Sequence, residues 1–275
     1  MDYLRTFSEY MLTEGKSQNT ISGYVSDLKQ LSAFLGKDVA EITNDDVEAF
    51  KKHLVTQGLK VNTINRKLVS IKQFVEFLNI ECGLSIIVRI KQEKQQRQDF
   101  LDDTLDPSDF KKLVNAAVTN NDMRAKALFY TLYYTGARVS EMLQIQKNNI
   151  EQQYVLVKGK GNKYRELFIS SKVRTVWIEY LKVRNDNSKF LFTGQRGAIN
   201  RQTVHNTIKK YAEIAGVDKD IAHAHNFRHL FCKRLIEKGE SIDTVADLAG
   251  HSDINTTRVY TRKTRPELMA AINDL

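Results

Sequence analysis

From Ile64 through Leu68, Ile71, Val75 and Leu78, apolar residues recur every three or four positions, and Phe74 widens the stripe. That spacing predicts a helix of about five turns with one buried face, opened by Asn62 as a cap. Thr43-Asn44-Asp45-Asp46 predicts another start, with Thr43 as N-cap and acidic residues in the first turn. Val47, Phe50 and Leu54 would be its buried face, and Gly58 its stop. Amphipathic segments near residues 2–14 and 19–35 bring the number of helices to four, and their short connections predict an antiparallel bundle.

The periodicity lapses between residues 88 and 106, where Lys91 to Asp99 is a polar run with no face to bury. A linker is the expectation there, with a solvated helix end as the competing reading. Residues 1–87 would then form one domain and residues 107–275 another. Asp106-Pro107-Ser108-Asp109 predicts a helix start with an early proline, and helical pattern runs through Leu128, Tyr130, Leu132 and Tyr133 to a break at Gly136. Tyr154–Val157 and Tyr164–Ile169 flank the glycine- and lysine-rich stretch Lys158 to Lys163, which predicts a hairpin. A brief strand is expected at Phe190–Phe192 within an otherwise helical remainder. The fold class is mainly α with a small β-sheet: a four-helix bundle followed by a larger mixed domain.

Composition narrows the class of function. The two cysteines among 275 residues, Cys82 and Cys232, rule out a disulfide scaffold and a four-cysteine zinc site. No run of 18 apolar residues occurs, and the amino terminus lacks the basic-then-apolar order of a signal peptide, so the cytoplasm is the expected location. Lys and Arg number 42 against 33 Asp and Glu, a net charge of +9 that suits a polyanion partner. Residues 99–275 carry +7 of that excess. A basic, solvated surface would give the same count.

Four segments of the second part carry candidate chemistry. Thr135-Gly136-Ala137-Arg138-Val139-Ser140-Glu141 sets an arginine at the mouth of a helix, where backbone N–H groups favour anions. Alone, such an arginine is an ordinary surface residue. The lysines of the hairpin tip either guard a sheet edge or reach a nucleic-acid groove. In His223-Ala224-His225-Asn226-Phe227-Arg228-His229, His225 and Arg228 lie three apart and share a helix face. Three clustered histidines also suggest zinc, but Cys232 is the only thiol nearby and no regular ligand pair stands elsewhere. Last, Gly250-His251-Ser252 puts a histidine at an expected helix start, with Tyr260 nine residues on.

Thr-Gly-x-Arg-x-Ser-Glu, Gly-Lys-Gly-Asn-Lys, His-x-x-Arg-His and Gly-His-Ser with its later tyrosine occur in this order. In that combination the chain resembles the tyrosine recombinases of the phage-integrase family, most of all the short Xer-type and transposon-resolving members. The likeness runs the whole chain, the first bundle resembling their core-site DNA-binding domain. Asn226-Phe227 and Ala249 depart from the usual residues beside the motifs, without touching the chemistry. The resemblance implies a catalytic set of Arg138, Lys160, His225, Arg228, His251 and Tyr260. Lys158 and Lys163 compete with Lys160, because the turn is lysine-rich.

The resemblance further implies a site-specific recombinase acting on double-stranded DNA recombination sites. Tyr260 would be the nucleophile, forming a 3′-phosphotyrosine, and His225 would aid its deprotonation or orientation. Lys160 would protonate the leaving 5′ oxygen. No metal, nucleotide or other cofactor is implied. The working form would be a homotetramer on two duplexes passing through a Holliday junction, with accessory factors or a partner recombinase as further candidates. Leu268, Ala271, Ile272 and Leu275 form an apolar stripe that would be a protomer-exchange helix, or fold back on its own domain. A type IB topoisomerase and a catalytically dead DNA-binding regulator are the alternatives. Six filled catalytic positions favour an enzyme, and a short chain with a separate bundle favours recombination.

Overall fold

The computed structural model describes residues 2–93, 104–159, 163–195, 197–251 and 253–261, together with 269, 272 and 273. The chain divides into two compact units, Met1–Arg97 and Gln98–Leu275.

In the first unit the four expected helices form: α1 (Tyr3–Thr13), α2 (Gln18–Leu35), α3 (Asn44–Thr56) and α4 (Val61–Ile80). Thr43 and Asp46 cap α3 reciprocally, satisfying two backbone donors that the helix start would leave bare. The stripe of α4 packs as its spacing predicts, with Ile64, Leu68, Ile71, Phe74 and Leu78 at 1% exposure or less. Its start lies one residue earlier than Asn62, with Lys60 in the capping position and no side-chain cap. Phe7 of α1 meets Phe74 edge to face at 5.2 Å, an arrangement that the ring quadrupoles favour.

The expected linker begins later than residue 88. Leu84, Ile86, Val88 and Ile90 pack on the bundle core as an extended strap. Asn79 and Asn65 each exchange two hydrogen bonds with the strap backbone, at Ile86 and Glu93, and Asn44 accepts from the Arg89 N–H. The strap's apolar residues alternate at every second position, a strand-like period that a search for helical spacing passes over, and the side-chain amides fasten its backbone. At the other end, Leu105 is 1% exposed within the core of the second unit. Residues 94–103 lie outside the described residues.

The second unit is built around α6 (Met123–Thr135), which packs against α5 (Pro107–Thr119), α8 (Ser171–Val183) and α10 (Ala224–Glu237). After α6 come the short α7 (Val139–Met142) and an antiparallel hairpin of β1 (Tyr154–Lys158) and β2 (Tyr164–Phe168), paired from Tyr154↔Phe168 to Lys158↔Tyr164. The strand expected at Phe190–Phe192 falls further on. Phe190 makes a single bridge with Gln146, and β3 (Thr193–Gly194) pairs with β4 (Gly197–Ala198). Helices α9 (Arg201–Ala215), α11 (Ile242–Ala249) and α12 (Asn255–Arg258) follow in the same unit. Trp177 is wholly buried in the core and donates its indole N–H to Thr131 at 2.8 Å. Among the described residues, no helix is long and apolar enough to cross a membrane.

Candidate active site

α6 stops at Gly136, whose φ of 58° lies in the left-handed region that favours glycine. A Cβ there would lie 2.4 Å from the Phe231 ring, so the missing side chain also lets α10 approach. Arg138 then caps α7. Its backbone N–H donates to Glu141 Oε2 and its guanidinium to Oε1, both at 2.8 Å. The helix start marked in the sequence as an anion site therefore already holds the Glu141 carboxylate. What remains for another anion is the arginine side chain.

Glu141 is fully buried between two arginines. Arg165, from β2, donates to Oε2 at 2.8 Å and to the Leu248 carbonyl at 2.9 Å. Arg138 also reaches the Gly250 carbonyl at 3.2 Å, joining groups that lie 112 residues apart in the chain. Burial pushes the Glu141 carboxyl up, but Arg165 and Arg138 together outweigh it and hold the group below the usual carboxylate range.

Arg228, on the first turns of α10, is 2% exposed. One guanidinium nitrogen donates to the Gly136 carbonyl at 2.8 Å, while the other, Nη2, is buried without a partner. Burial, then the charges of Arg138 and Arg165, bring its pKa down to about 10, which leaves it charged at neutral pH. An unpaired buried donor on a cation is costly, and its retention calls for an explanation, of which an incoming anion is one.

His251 is not at a helix start. It follows Gly250, where α11 ends in a left-handed turn, and its N–H closes back on the Ala246 carbonyl at 2.9 Å. Its Nδ1 edge pairs with the buried Thr257 hydroxyl at 2.7 Å, leaving the Nε2 edge for a ligand. Burial, with Arg228, Arg138 and Arg165 nearby, lowers its pKa to about 4, so the ring is neutral at pH 7.

Tyr260 closes the cluster from a single 3-10 turn, Val259–Thr261. Its hydroxyl is hydrogen-bonded to Nδ1 of His229, and its ring packs on the small apolar cluster that holds Cys232. His225, expected beside the tyrosine, instead packs its ring edge against the His229 ring at 4.3 Å. Burial, and then Cys232, push the Tyr260 phenol well above its ordinary range. His229 drops to about 4, mainly through burial, so at rest the phenol keeps its proton.

Arg138, His225, Arg228, His251 and Tyr260 thus converge, and Lys160 lies outside the described residues. Sequence reasoning gave no role to Glu141, Arg165, His229 or Thr257. Arg165 had a readable signal: alternation along β2 puts it on the inward face with Leu167 and Ile169, where a charge needs a reason. Among the described residues, no group of three or more His, Cys, Asp or Glu side chains is placed to hold a metal ion. One of the three clustered histidines, His229, is occupied by Tyr260.

Residues 103–267 match the phage integrase family, and residues 4–81 match the phage integrase N-terminal SAM-like domain. The chain is 31% identical to the TnP I resolvase of Bacillus thuringiensis, over 98% of both chains. It is likewise 31% identical to the tyrosine recombinase XerA of Pyrococcus horikoshii, over 98% of this chain and 92% of the relative. Among solved structures, it shares its fold with the XerH site-specific recombinase bound to palindromic difH substrate in a post-cleavage complex. There the TM-score is 0.75 at 20% identity, covering 98% of this chain and 94% of that one. The Tn1549 transposon integrase in complex with transposon right end DNA gives 0.72 at 18%, covering 100% and 99%. With both family models matched in order along the chain, and an arginine–histidine–tyrosine cluster formed by its motifs, this protein belongs to the phage integrase family and is a tyrosine recombinase.

Proposed function

We propose that the chain recombines double-stranded DNA at specific sites, through a covalent 3′-phosphotyrosine formed by Tyr260. The observation that carries this reading is the buried, charged Arg228 with an unpartnered Nη2, beside Arg138 and the open edge of His251. Two guanidiniums with forked donors suit the non-bridging oxygens of a phosphodiester, whose negative charge grows as a fifth oxygen joins the phosphorus. Preorganised positive charge of this kind is commonly the largest catalytic contribution.

The resting phenol is protonated, and its partner His229, with a pKa of about 4, is too weak a base to take the proton. A phosphodiester entering the cradle brings a negative charge that raises the basicity of His225, His229 and His251 together. Tyr260 then attacks phosphorus, its proton passing to the histidine pair. The bond to the 5′ oxygen breaks, with Lys160 giving that oxygen its proton. The free 5′-hydroxyl of one duplex gives its proton back to Lys160 and attacks the phosphotyrosine of another. The histidine pair returns a proton to the departing Tyr260 oxygen, so the ester bond energy is conserved without nucleotide or metal.

The names of the relatives, a resolvase and recombinases, favour exchange between two duplexes over relaxation of one. The assembly would be a homotetramer on two recombination sites in the nucleoid, working alone or with an accessory factor or second recombinase. The bundle with its strap, residues 1–93, would bind the core site, and the second unit would cut DNA and engage a neighbouring protomer through its carboxy-terminal segment. Most of the tail, including Leu268, Ala271 and Leu275, lies outside the described residues.

The test uses duplexes selected from a random pool by binding to the purified chain, then nicked near the point of cleavage. Wild type should remain attached to such DNA on a denaturing gel. Tyr260→Phe should lose all attachment while binding the duplex within about threefold, since only the nucleophilic oxygen is removed. Equal attachment by both proteins would refute the assignment.

A further inference from the structure

Arg165 occupies an inward position of the hairpin, opposite the buried Val157, where an aliphatic residue would be expected. Its side chain is 12% exposed and ends between the Glu141 carboxylate and the Leu248 carbonyl. Room for it is made by Gly250, whose φ is 65° and whose added Cβ would lie 2.3 Å from Arg165 Cδ. Arg165 and Arg138 divide one buried carboxylate: Arg165 takes Oε2, while the Arg138 guanidinium takes Oε1.

The charges of this group decide what Arg138 can do. With both arginines present, Glu141 leaves a net charge of one positive unit, to which Arg228 adds another. A phosphodiester carries one negative charge and approaches two as the tyrosine oxygen adds. Without Arg165, Glu141 would be compensated by Arg138 alone, and in a buried place a carboxylate holds its last cation strongly. Arg138 would then be spent on Glu141 rather than on the substrate.

We propose that Arg165 is a positioning residue for strand cleavage: it neutralises Glu141, so that the charge of Arg138 remains available to the scissile phosphate. The inference rests on the recombinase reading above and deepens it. Arg165 touches no reacting atom in this scheme. Its effect reaches the phosphate through Glu141 and Arg138.

A charge-compensation experiment tests it. Single-turnover attachment to the nicked, selected duplex is measured for wild type, Arg165→Met, Glu141→Gln and the double variant, with binding to the un-nicked duplex and thermal unfolding alongside. Methionine keeps much of the arginine stem, and glutamine keeps an accepting oxygen while dropping the charge. Arg165→Met should attach about a hundredfold more slowly, with duplex affinity within about threefold. The double variant should regain at least about tenfold, because no carboxylate remains to capture Arg138. Arg165→Lys, which keeps the charge, should stay within about tenfold of wild type even if the methionine variant folds poorly. A residue that merely bolts β2 to α11 predicts the reverse: the double variant no faster than Arg165→Met, and lysine no better than methionine. Either result overturns the inference. Trapped wild type with undiminished Arg165→Met overturns this inference alone, whereas absence of trapped wild type overturns the recombinase reading.

Discussion

Asp27 in the first unit and Glu141 in the second are both buried carboxylates gripped by two cations, yet the two groups are finished differently. Around Asp27, at 2% exposure, Arg66 donates twice, Lys67 once at 2.9 Å and Ser70 once at 2.8 Å, while the Lys67 ammonium also reaches Gln30. Among the described atoms of that group, none is buried without a partner. Around Glu141 the carboxylate is equally well held, but the adjoining Arg228 keeps a buried donor unpaired, and neutral histidines stand where further cations could be. A group of charges whose buried atoms are all partnered contributes to the fold. One left a donor short is poised for an anion, at some expense in stability.

The sharpest way to break that contrast is to remove Arg228. Arg228→Met should slow covalent attachment to nicked duplex by about 10²–10³-fold, the loss typical of a single preorganised donor. The thermal midpoint of the second unit should stay level or rise, because an unpaired buried charge has gone. A fall of many degrees would mean that Arg228 holds the fold, like the Asp27 group.

Asp27→Ala should produce the opposite pairing of effects. Arg66, half exposed, can swing into water, whereas Lys67, at 8% exposure, would be left with Gln30 alone. A loss of about 3 kcal/mol is expected in the denaturant unfolding of the first unit, the lower part of the range for breaking a buried pair. A change below about 1 kcal/mol would show that the group relaxes at little expense.

A smaller effect separates the units by pH. His229 and His251 sit at about 4 in the folded chain, against 6.5 for an ordinary histidine. As pH falls, the unfolded chain takes up their protons first. The stability tied to these neutral rings is complete above pH 6.5 and drains away towards pH 4. The thermal midpoint of the second unit should fall across that window, and changing both residues to Gln should flatten the slope. An unchanged slope would place the titrating groups elsewhere.

Much of this was legible in the sequence, for identifiable reasons. The α4 stripe, the Thr43 cap and the Gly136 break follow from spacing and capping rules that act within one or two turns. The hairpin was legible because strand-like runs flank glycines. The residues of the cradle were legible as types: Arg138, Arg228 and His251 carry their own chemistry. Illegible were the contacts that cross the chain. Nothing near Tyr260 announces His229 as its partner 31 residues upstream, and nothing near Glu141 announces Arg165. The turn at His251 was misread because Gly250 ends one helix without starting the next. The strap of residues 84–93 escaped the linker reading because Leu84, Ile86, Val88 and Ile90 alternate with period two rather than at helical spacing, and the asparagine amides that fasten it come from α3 and α4.

Those amides have a consequence of scale. A carboxamide offers the same donor–acceptor pair as a peptide group, so α4 presents the strap with two isolated pieces of an imitation strand edge, at Asn79 and Asn65. Fourteen helical residues separate the two asparagines, about 21 Å at 1.5 Å per residue. Seven extended residues separate Ile86 from Glu93, about 23 Å at 3.3 Å per residue. Helix and strap therefore work as a vernier, two graduations of one matching a single graduation of the other. Inserting or deleting one residue between Ile86 and Glu93 would shift the two scales by about 3.3 Å, more than a hydrogen bond tolerates, so one of the two clasps must open.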